Sequence, residues 1–132
     1  MRFTEQELTA ALTGAAKQVM RSRRRELRKG AADIDAAWAA TDRYQRFLLL
    51  DGLGAQLLPV LVALPDVQVE PGTRPEFTDA QILEAVEQVT GETGGRLRRR
   101  ATVAARAALV RTALAHVPPR QDPDALVVPD HL

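Results

Sequence analysis

The chain has 132 residues, a formal net charge of +1, 45% hydrophobic and 27% charged residues, and no cysteine. That length suits one domain with its own core, and the lack of thiols excludes disulfides and thiolate-held metals. The near-neutral total excludes a polycation that coats nucleic acid by bulk attraction.

The opening MRFTEQELTA carries two glutamates where a signal peptide needs an apolar core, so a cytoplasmic location is expected. The first helix is well signalled. Thr4 is a good N-cap and Glu7 stands where a capping box requires it, while Phe3 and Leu8 can form a hydrophobic staple. The helix is expected over residues 5–29, with Gly30 as its stop. At helical spacing Leu8, Leu12, Ala15, Ala16, Val19, Met20 and Leu27 share one face, and Lys17, Arg21, Arg24 and Arg28 share the other, with Arg25 at its edge.

A second helix is expected from a cap at Asp33 or Asp35 to Leu50, and it carries Trp38, Tyr44 and Phe47. DGLG at 51–54 reads as a break, followed by a short apolar helix at 55–64 in which Pro59 is tolerated only near the start or at a kink. The stretch 47–64, FLLLDGLGAQLLPVLVAL, is interrupted by Asp51, Gln56, two glycines and Pro59. A spanning helix needs about 20 nearly uninterrupted apolar residues, so this stretch reads as core or interface and no membrane partner is expected.

Residues 65–76 are turn-rich and read as a linker between two helical halves. EFTDAQIL then repeats the opening device of RFTEQEL with cap Thr78, Gln81, Phe77 and Ile82, and shared capping chemistry accounts for the likeness without an internal duplication. A helix follows at 79–90, then the turn GETGG, then a last helix at 96–116 ended by Pro118 and Pro119. Residues 1–117 thus form an all-α, single-domain bundle of four to five helices. Residues 118–132 form a proline-containing tail, either frayed or docked on a groove.

Charge is unevenly spread. Residues 17–29 hold seven cations and one acid, 66–92 hold seven acids and one cation, and 93–121 hold seven arginines and no acid. Arg96, Arg98, Arg99 and Arg100 crowd the start of the last helix, where unpaired N–H groups are already partly positive. A hairpin between the last two helices sets Glu87 level with Arg99 and Asp79 near Arg106, with Glu92 in the turn beside Arg96. The arginines are therefore expected to be answered from within the molecule.

Catalytic chemistry is hard to assemble. His116 and His131 lack ligand-like spacing, Ser22 has no histidine near it, and GETGGRL lacks the Lys and hydroxyl of a phosphate loop. No catalytic residue, metal or cofactor is expected. The leading reading is a non-enzymatic helical module that contacts a protein partner or a second copy, through Phe47, Leu50, Leu53, Leu57 and Leu61. The alternative is a nucleic-acid-binding regulator that uses Arg96, Arg98, Arg99 and Arg100, with Arg21, Arg24, Arg25 and Arg28 as a second phosphate contact. A third reading, an enzyme acting on an anionic small molecule, requires a pocket joining an arginine to a carboxylate or Tyr44.

Overall fold

The computed structural model describes residues 1–24, 33–91 and 94–120. Among them are five helices and no strand: α1 (Glu5–Arg23), α2 (Ile34–Ala40), α3 (Arg43–Ala63), α4 (Asp79–Val89) and α5 (Arg96–Ala115). Both capping boxes form, with Thr4 and Thr78 each accepting from the backbone three residues on and receiving the Glu7 or Gln81 side chain in return. Asp33, not Asp35, caps α2 and accepts from the Asp35 amide at 2.9 Å.

Three boundaries differ from the sequence expectation. Helix α1 ends at Arg23, where Arg24 turns extended, rather than near Lys29. Arginines at 21, 24 and 25 repel one another at helical spacing, and the apolar pattern lapses between Met20 and Leu27. The helix expected to reach Leu50 is split at Thr41, whose hydroxyl donates to the Ala37 carbonyl at 2.7 Å, a local bond that competes with helix continuation. DGLG, conversely, breaks nothing, and α3 runs through it and past Pro59. Gly54 is buried on the face that meets Leu12 of α1, and Pro59 sits on the exposed face, where the carbonyl that it leaves unpaired belongs to exposed Ala55.

The four long helices alternate in direction. The Met1 amino group donates to the carbonyls of Val62 and Leu64, so the start of α1 lies beside the end of α3. Asp79 at the start of α4 pairs with Arg111 near the end of α5 at 2.9 Å, and His116 lies over Gly14 of α1. Helices α1, α3, α4 and α5 form a closed ring of neighbours, with α2 against α1. Leu57, Val60, Leu61 and Leu64 meet Ile82, Val86, Val103 and Val110 in the core, while α1 contributes mainly alanines.

Residues 65–76 are pinned at several points, not strung loosely between halves. Arg74 donates to the Ala115 carbonyl, and Gly72 and Thr73 exchange backbone hydrogen bonds with Arg120 at 2.6 and 2.8 Å. The start of the tail, 118–120, is therefore docked, whereas Leu126 to Val128 and His131 lie outside the described residues.

Candidate interaction surfaces

Antiparallel packing gathers the arginines at one end of the bundle. The end of α1, the start of α3, the end of α4 and the start of α5 all lie there, bringing Arg21, Arg23 and Arg24 to the same end as Arg43, Arg46 and Arg96 to Arg100. Gly14 opposite His116 sets Arg24 level with about residue 106, roughly 9 Å along the axis from Arg100. Arg25, Arg28 and Glu92 lie outside the described residues. The opposite end carries Glu5, Glu7, Asp66, Glu70, Glu76 and Asp79 together with Arg2, Arg74, Arg111 and Arg120, so both signs of charge meet there.

The expected carboxylate pairing is replaced by a different device. Arg99 donates to the carbonyls of Thr90 at 3.2 Å, Gly91 at 3.4 Å and Glu87 at 3.5 Å, so the negative end of α4 receives the guanidinium. Arg106 bonds the buried Thr90 hydroxyl at 3.1 Å, and Asp79 pairs with Arg111 instead. The ion pairs among the described residues are Met1–Asp66, Lys17–Asp35, Arg111–Asp79 and Arg120–Glu7; none involves Glu84, Glu87, Arg96, Arg98 or Arg100. The physical reason is reach: open carbonyls at the helix terminus lie closer to Arg99 than a carboxylate that leaves the helix laterally.

Helix α3 divides the residues expected at an interface. Leu53, Leu57 and Leu61 are at most 5% exposed and belong to the core, and Leu50 packs partly against it. Only Phe47 of that set stands out, at 58% exposure. Sequence hydrophobicity could not separate them, because both faces of α3 are apolar. Tyr44, Phe47, Asp51, Ala55, Leu58 and Val62 instead form one ridge within roughly 80° of arc. Tyr44 is 60% and Val62 70% exposed, so the ridge is apolar at both ends and interrupted by Asp51. The 18-residue window of α3 reaches a mean hydropathy of 1.5, within the range of a spanning helix, but its inner face is spent on the bundle core.

Beside the ridge along α3 lies a half-open groove of about 680 Å³. Its floor is Met20, Trp38, Leu49, Leu53 and Leu109, and Arg23, Arg24 and Arg46 border it. Among the described residues, no aspartate or glutamate lines it. Arg23 and Arg46 carry no warning in the sequence, since only the approach of α1 to α3 brings them together around the chain's single tryptophan.

A second hollow, of about 620 Å³, joins Arg21, Lys17, Asp35 and His116. The Lys17 ammonium donates to Asp35 at 2.7 Å, and that bond, with its charge, lowers the Asp35 carboxyl below its ordinary value. A carboxylate so held is a poor general base. Tyr44 lines neither hollow, and among the described residues no three His, Asp or Glu converge as a metal site. No protein-family model matches the chain, and no curated protein or solved structure matches it either.

Proposed function

We propose that the chain is a non-enzymatic cytoplasmic helical module that works by protein–protein contact, self-associating through the outer face of α3. The observation that carries this reading is the apolar ridge of Tyr44, Phe47 and Val62, more than half exposed at each position. Large apolar side chains clustered on one surface favour a partner over water. A second copy fits the ends of the ridge. An antiparallel register sets Phe47 of each copy against Val62 of the other, so both apolar ends of the ridge are covered in a two-fold contact. Asp51 in the middle keeps the contact weak.

Sedimentation equilibrium at micromolar concentration tests it. The expected result is reversible association towards twice the 14.4 kDa monomer mass, abolished by Phe47→Asp. A monomer throughout, or a dimer indifferent to that change, rejects the reading.

The basic end supports a second reading, contact with nucleic acid. Arg96, Arg98 and Arg100 are exposed and outside the ion pairs given above. Phosphate neutralisation predicts log affinity for duplex DNA falling steeply with log salt, and a shallower slope for Arg98→Ala with Arg100→Ala. No binding at low salt removes this alternative.

A further inference from the structure

The groove beside Trp38 combines two properties that rarely coincide on a solvated surface. Its floor is apolar, with Met20 and Leu53 7% and 5% exposed, and its border is cationic at three positions, supplied by the end of α1, its cap Arg24 and the start of α3. A solvated basic face would interleave acids with its arginines, but among the described residues no carboxylate lines the hollow and none of Arg23, Arg24 and Arg46 enters an ion pair. The volume of about 680 Å³ falls within the usual range of ligand sites, roughly 300–1,000 Å³. Gln45 and Gln56 at its wall offer neutral amides.

We infer that this groove binds a single-chain amphiphilic carboxylate, its hydrocarbon chain on Met20, Trp38, Leu49 and Leu53 and its head group held by the guanidinium groups of Arg23, Arg24 and Arg46. The chain supplies affinity by leaving water for the apolar floor. The arginines supply the selection for an anion, because a carboxylate accepts paired N–H donors from a guanidinium and an ammonium or alcohol head cannot. The site adjoins the ridge at Leu48, but its floor of Met20, Trp38, Leu49 and Leu53 is made by residues outside the ridge.

Trp38 is the sole tryptophan and reports directly on the groove. Dodecanoate added below its micellar concentration is expected to shift the Trp38 emission to the blue and to saturate at one molecule per chain. Replacing Arg23, Arg24 and Arg46 together with glutamate should weaken the response about tenfold or more, as loss of charge-assisted bonds implies. The same three positions changed to glutamine give an intermediate response, and provide the measurement if the glutamate variant fails to fold. Dodecyltrimethylammonium, equal in chain length and opposite in charge, should bind far more weakly. Absence of a saturable dodecanoate response, an equal response to the cationic amphiphile, or a glutamine variant indistinguishable from the parent overturns the assignment. So does a stronger shift from vesicles of anionic phospholipid, which would make a bilayer surface the ligand.

Discussion

Glu7 and Arg120 lie 113 residues apart in the chain and meet at the foot of the bundle, Nε to Oε2 at 3.0 Å and Nη2 to Oε1 at 3.3 Å. The Glu7 side chain is only 5% exposed, and the same carboxylate closes the capping box of α1. Arg120 also donates to the Arg2 carbonyl at 2.9 Å, so one guanidinium ties the tail to both the first residues and the first helix.

Removing Arg120 strands a buried carboxylate, and Arg120→Ala is expected to cost about 1–3 kcal/mol in urea unfolding. Burial resists ionisation of Glu7, but the hydrogen bonds from Arg120 and Thr4, with the Arg120 charge, outweigh it and hold the carboxyl below its ordinary 4.5. A lowered folded value means stability that is complete above the ordinary value and lost as pH falls through the folded one. Wild type should therefore weaken on acidification below that value more steeply than Glu7→Gln. Parallel stability–pH curves for the two would refute the assignment.

A methyl group at Gly14 would overlap Cγ of His116 and stand 2.5 Å from its Cβ. The second contact is with an atom fixed to the backbone, so rotating the imidazole does not relieve it. Gly14→Ala should destabilise by about 1–3 kcal/mol despite its better helix propensity. Adding His116→Ala should restore only part of the loss, and adding His116→Gly more of it, read as melting temperatures of the two double variants.

The two faces of α3 should separate under mutation. Leu57 is fully buried, and Leu57→Ala is expected to cost about 2–5 kcal/mol. Phe47→Asp should change monomer stability by no more than about 0.5 kcal/mol while dissociating the self-associated form. Asp51→Leu should do the reverse of Phe47→Asp and tighten association, measured by the concentration at which the mass doubles.

Among the clustered arginines only Arg99 should matter to folding. Losing its bonds to the α4 terminus is expected to cost about 1 kcal/mol. Arg96→Ala, Arg98→Ala and Arg100→Ala should each stay within about 0.5 kcal/mol of the parent by thermal denaturation. A comparable loss at Arg98 or Arg100 would mean that those groups are bound internally after all.

What the sequence determined by itself was local. The caps at Thr4 and Thr78, the all-α class and the near ends of α4 and α5 are written in neighbouring residues, because a capping box closes over three positions and an amphipathic face repeats every turn. The break expected at DGLG failed for the complementary reason: the cost of glycine in a helix is about 1 kcal/mol, and burying α3 against three neighbours exceeds it. Only the tertiary structure decided which apolar residues of α3 are core and which are ridge, since both faces look alike until other helices choose one. It alone brought Arg23 and Arg46 to one groove, gave Arg99 the carbonyls at the end of α4 in place of the Glu87 carboxylate, and joined Glu7 to Arg120. Those contacts depend on the antiparallel order of the helices, and no short window of sequence encodes that order.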